Sequence, residues 1–159
     1  MPNIERNMGI EKDISQENFR NDYQKAVINF IYTWHWLNEK MRGMFEKEGI
    51  TSQQYNILRI LRGAAKPIST LQIRQRMLDK MSDSSRLVDR LLSKDLVKKN
   101  ICPSDRRLVD VSITDKGKKL LEKMDKYDVQ LDALFVNLDE NEIKQLNQLL
   151  DKIRTNPND

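Results

Sequence analysis

Residues 67–117 read PISTLQIRQRMLDKMSDSSRLVDRLLSKDLVKKNICPSDRRLVDVSITDKG, and their periodicity changes twice. Ser69 followed three residues later by Gln72 is a capping box opening a short helix with Ile73 and Met77 on its inner side. After a break at Leu78-Asp79-Lys80, a second apolar stripe runs Leu87, Val88, Leu91, Leu92 at helical spacing. That stripe leaves Ser82, Asp83, Ser85, Arg86, Asp89 and Arg90 on the opposite face. The pattern then switches to a period of two: Val97, Lys99, Ile101, and later Val109, Val111, Ile113. Between these strands lies Cys102-Pro103-Ser104-Asp105-Arg106-Arg107, a hairpin tip with two arginines. Helix, turn, helix and a two-stranded ribbon with a basic tip make a winged helix-turn-helix. Small hydroxyls and arginines on an open helix face suit the major groove of DNA.

The same residues resemble a known family. Leu87-Val88-Asp89-Arg90-Leu91, Leu96-Val97, Asp105-Arg106-Arg107 and Ile113-Thr114-Asp115-Lys116-Gly117 are similar, in order and spacing, to the core pattern of MarR-type transcriptional regulators. Gly49-Ile50-Thr51 is similar to the Gly-Leu-Thr that opens the family's second helix, and the resemblance covers roughly residues 20–154. Three positions depart from it. Leu78 replaces the glycine of the turn, and Asp95 replaces the glycine before the first wing strand. Ser84 stands where the family usually buries an apolar side chain. The resemblance implies a homodimer whose recognition helices enter successive major grooves of a pseudo-palindromic operator.

Charge distribution agrees. The chain of 159 residues carries a net +4, yet residues 66–119 hold 14 Lys/Arg against 7 Asp. The remainder, with 14 basic and 17 acidic residues, is net negative. A basic segment that coincides with the helix-turn-helix and wing is placed to neutralise phosphates. The fold class expected is mainly α with a small β-hairpin wing and a helical dimerisation layer.

Outside this core, residues 1–14 are expected to form a flexible arm, and residues 15–159 a single domain with its winged core at about 51–114. Ser15 is expected to cap a helix of some thirty residues to about Glu48, with a broad stripe from Phe19 to Phe45 and Gly49 as its stop. Thr51 with Gln54 makes a second capping box, and that helix should end near Gly63. Thr114 should cap a helix reaching about Val136, and Asp139 with Glu142 a last one carrying Ile143, Leu146, Leu149, Leu150 and Ile153, ended by Asn156-Pro157. The helices at about 15–48 and 115–154 are more apolar than one small domain needs, which points to dimerisation.

Candidate DNA-binding residues are Ser82, Ser85, Arg86, Arg90, Arg106 and Arg107. Arg86 and Arg90 suit guanine or phosphate. A wing-tip arginine suits the negative potential of the minor groove, and the resemblance favours Arg107 there. Asp105 would position the tip, and the resemblance implies that Asp89 pairs with Arg107. Tyr23, Phe30, Trp34, Leu37 and Met41 with Tyr55 and Leu58 are candidates for an effector pocket. The resemblance implies a small aromatic or lipophilic ligand there.

One histidine, His35, and one cysteine, Cys102, have no metal-ligand spacing, so neither a metal nor another cofactor is expected. Five scattered glycines form no phosphate-cradling loop, and no nucleophile elbow is present; an enzyme is not expected. No apolar run reaches membrane-spanning length and no signal-peptide core opens the chain, so the expected location is cytoplasmic. The function expected is a sequence-specific transcriptional regulator, a ligand-responsive repressor. Two alternatives are a winged-helix module that binds protein, and a redox-responsive regulator using Cys102 with Lys98, Lys99 and Arg106 nearby.

Overall fold

A computed structural model describes residues 9–101 and 109–155. The chain divides into two compact units, residues 1–47 and 48–159, where the sequence suggests one domain from residue 15 onward.

The first unit holds α1 (Ile10–Asp13) and α2 (Asp22–Lys47). Ser15 does not cap the long helix: it follows α1 with φ 53°, and α2 starts seven residues later, at Asp22. Asn21 supplies the cap instead, its Oδ1 accepting from the Gln24 N–H at 2.9 Å. Within the stretch expected to be a loose arm, Ile10 is buried, and Lys25 bonds Glu11 at 2.5 Å. That bond holds the Glu11 carboxyl below the usual carboxylate range. Helix α2 ends where expected, with Gly49 at φ +67° just beyond it.

The second unit is built on α3 (Ser52–Ala64), whose Ile57, Leu58 and Leu61 are buried. Thr51 and Gln54 form the capping box foreseen, and Ala65 closes the helix in the left-handed conformation. Around α3 pack α4 (Thr70–Arg76), α5 (Ser84–Ser93) and α6 (Asp115–Met124). Each contributes fully or nearly fully buried apolar side chains: Ile73, Val88 with Leu91, and Leu121 with Met124. The wing strands are β2 (Val97–Ile101) and β3 (Val109–Ile113), antiparallel in the register Val97↔Ile113 and Lys99↔Val111.

A third strand was not foreseen. β1 (Ile68–Ser69) pairs with β3 through Ile68↔Val111 and Ser69↔Asp110, making a sheet of order β1-β3-β2. Ile68 and the cap residue Ser69, directly after a proline, are too short a run to show alternation, yet Ile68 is buried and ties the start of α4 to the wing.

Beyond α6 the expected helix runs on to Val136 in right-handed helical backbone, interrupted as an α-helix by a 3-10 turn at Asp125–Tyr127 before α7 (Asp128–Asp132) and by a second at Ala133–Phe135 after it. Three aspartates and a tyrosine in this stretch are weak helix formers. Side chains at the break also anchor it to the core side. Arg62 forks onto Asp125 at 2.8 and 3.0 Å, and Tyr127 and Lys123 both reach Glu48. The last helix, α8 (Glu140–Arg154), has the Asp139–Glu142 capping box and ends at Thr155; residues 156 and 157 lie outside the described residues. Among the described residues no helix is long and apolar enough to cross a membrane.

Candidate nucleic-acid interface

Helix α5 is held from both ends. Asp83 is its N-cap, with Oδ1 accepting from the Arg86 N–H at 3.0 Å, and its carboxylate lies 3.9 Å from the Arg86 guanidinium. Asp83 is thus a structural cap. At the other end Asp95 adopts φ 58°, with Asp95 N–H donating to Leu92 O and Leu96 N–H to Leu91 O. This is a Schellman stop in which aspartate takes the place that glycine usually fills.

The turn between α4 and α5 needs no glycine. Leu78 is not left-handed; its N–H donates to Asn56 Oδ1 at 3.0 Å, pinning the turn to α3. Asp79 then accepts from the Met81 N–H at 3.0 Å and the Ser82 hydroxyl at 2.7 Å, and these bonds hold its carboxyl below the usual range. Ser82 therefore sits in the turn before α5, with its hydroxyl committed to Asp79.

On α5 itself, Ser85, Arg86, Asp89 and Arg90 are exposed along one face, while Ser84, Val88 and Leu91 are buried. The buried Ser84 occupies a position suited to an apolar group, as the sequence suggested. Asp89 bonds the Lys99 ammonium of β2 at 3.0 Å, which ties α5 to the first wing strand. From sequence Lys99 was marked only as a strand residue and as a cation near Cys102; its place in the β2 alternation carries no sign that it faces α5. Asp105, Arg106, Arg107 and Cys102 lie outside the described residues, and with them the expected Asp89–Arg107 pair.

The junction of wing and α6 accounts for the Thr-Asp-Lys-Gly motif. Thr114 N-caps α6 through the Gly117 N–H, and its hydroxyl donates to Asp95 O at 2.7 Å. A Cβ on Gly117 would stand 2.3 Å from Leu96 O, so the backbones could not approach as they do.

The effector-pocket candidates fall in both units. Tyr23, Phe30 and Trp34 of α2 are exposed, and Leu37 and Met41 half-buried. In the second unit Leu58 is fully buried in the core, and Tyr55 carries the Arg59 guanidinium 5.8 Å from its ring centre.

A MarR transcription factor from Planctomyces limnophilus matches this chain at 30% identity, covering 84% of it and 98% of the other chain, with a TM-score of 0.64. The chain belongs to the MarR family of transcription factors. No protein-family model matches it. The curated HTH-type transcriptional regulator MhqR of Bacillus subtilis (strain 168) is 25% identical over 134 residues, 83% of this chain and 91% of that one. In fold, the chain is similar to a mutant MarR from E. coli complexed with operator DNA, with TM-score 0.76 and 23% identity, over 87% of this chain and all of the other. MarR-family membership makes this protein a DNA-binding transcriptional regulator.

Proposed function

We propose that this protein is a repressor that binds a pseudo-palindromic operator in double-stranded DNA as a homodimer. The observation that carries the reading is α5. It presents Ser85, Arg86 and Arg90 outward from a helix whose other face is sealed into the core. The likeness to a MarR protein complexed with operator DNA supports placing that face in the major groove. Arg106 and Arg107 would follow the backbone or enter the minor groove, and Asp105 would position them.

Dimerisation is supported by apolar surface that a single chain leaves open. On α2, Tyr23, Val27, Phe30, Ile31 and Trp34 are at least half exposed, and on α8 so are Leu149 and Ile153. Two recognition helices related by a two-fold axis read half-sites about 34–36 Å apart. Repression is then occlusion of a promoter. A small aromatic or lipophilic effector relieves it only by binding the DNA-incompetent spacing more tightly, and the exposed α2 aromatics Tyr23, Phe30 and Trp34 are the residues proposed to meet it.

Gel shifts with genomic fragments over a salt series test the reading. The expected result is a preferred pseudo-palindrome and an affinity that falls steeply with salt. Absence of DNA retention at low salt overturns it.

A further inference from the structure

A cleft of about 380 Å³ opens where the start of α4 meets the start of α5. Thr70, Leu71 and Arg74 form one side, and residues 81–85 the other. Two of its walls are apolar and solvated: Leu71 is 64% exposed and Met81 93%. Met81 lies two residues ahead of the N-cap of α5 and lines the cleft together with Ser85, one of the outward residues of that helix. Through Ser85 the cleft borders the face proposed to meet DNA.

Its chemistry selects among the groups DNA can offer there. Arg74 on the rim favours the polyanion as a whole, but Asp83 lines the cleft with a carboxylate, which disfavours a phosphate inside it. Leu71 and Met81 offer no strong hydrogen bond and so read neither an amino group nor a carbonyl. One apolar group projects from base edges into the major groove, the 5-methyl of thymine. An unbranched thioether adapts its shape to such a group at small cost.

We propose that Met81, with Leu71 opposite, is a specificity-determining residue that takes up a thymine methyl in each operator half-site. The proposal rests on the operator-binding reading above. Its test begins with the sequence enriched from a random pool, in which each thymine is replaced in turn by deoxyuridine, removing the methyl alone. With the wild-type protein, one thymine per half-site should lose about fourfold in affinity on losing its methyl, the worth of one buried carbon. Met81→Ala should weaken binding to the thymine operator and abolish the thymine–uracil difference at that position only. Leu78→Ala, also apolar and exposed in this turn but outside the cleft, should keep the difference. Wild-type indifference to uracil at every position overturns the proposal, as does an undiminished uracil penalty in Met81→Ala. Failure to enrich any sequence overturns the operator reading itself, a result that tight but methyl-blind binding cannot be mistaken for.

Discussion

Ser84 opens α5 with its side chain buried and, among the described residues, no hydrogen-bond partner for its hydroxyl. Burial of an unpaired hydroxyl costs on the order of 1–3 kcal/mol, and alanine also has the higher helix propensity. Ser84→Ala should therefore stabilise the protein by about 1 kcal/mol, read as a higher urea midpoint at unchanged slope. A lower midpoint means that the hydroxyl has a partner. This residue was legible in part: the family resemblance marked its position for burial, but an unpaired Oγ is a fact of packing. Asp95 was legible through the resemblance, which puts a glycine there, and aspartate tolerates the left-handed conformation that glycine supplies. For Gly117 the motif was visible and its reason was not, because the obstructing Leu96 carbonyl comes from 21 residues earlier in the chain.

At the scale of elements, the capping boxes at Thr51, Ser69 and Asp139 placed three helix starts correctly, since the signal is local. The start of α2 went astray because Ser15, Asn18 and Asn21 can all cap, and only the last one does. The link between α5 and the wing was half legible: Asp89 was marked, but Lys99 is its partner among the described residues. Their bond makes a prediction with a decisive sign. Asp89 is a negative charge on a DNA-facing helix, so its removal should strengthen binding if charge alone mattered. If Asp89 holds helix and wing in register, Asp89→Ala should instead weaken operator binding about tenfold, with the midpoint of unfolding nearly unchanged. Tighter binding by the variant, in titrations at fixed salt, removes Asp89 from the positioning role. The break after α6 gives a second prediction. The Arg62 guanidinium lowers the Asp125 pKa, so the stabilisation is present above the unfolded carboxyl value of about 3.9 and is lost as pH falls through the lower folded value. Both side chains are more than a third exposed, which limits the contribution to at most about 1 kcal/mol. Asp125→Asn should therefore unfold at lower urea than wild type at pH 7, and the gap should close toward pH 2. A gap that stays constant with pH rules out the ion pair as its source.

At the scale of the whole molecule, α8 is a 15-residue helix in which no residue is buried, although five of its side chains are large and apolar. An amphipathic helix is stabilised by burying its stripe, and one left open in a single chain calls for a cover. Leu149 is 58% and Ile153 75% exposed, and at 3.6 residues per turn they share one stripe, one turn apart. A second copy of the chain is the cover that the proposed two-fold homodimer would supply. Leu149→Glu with Ile153→Glu should place two charges in that seam and shift the sedimenting species from dimer to monomer at micromolar concentration. Operator affinity should fall at least a hundredfold, because each monomer then binds a half-site without the gain of a tethered second one. Far-ultraviolet dichroism should show the fold retained, as neither residue contributes to the core of the single chain. Lys144→Glu is the matched control: it adds negative charge to the same helix on the face roughly opposite, and should leave both mass and affinity nearly unchanged. A wild-type protein that sediments as a monomer overturns the homodimer itself, and a double variant that remains dimeric would remove α8 from the interface and leave the open α2 face as the surface to test.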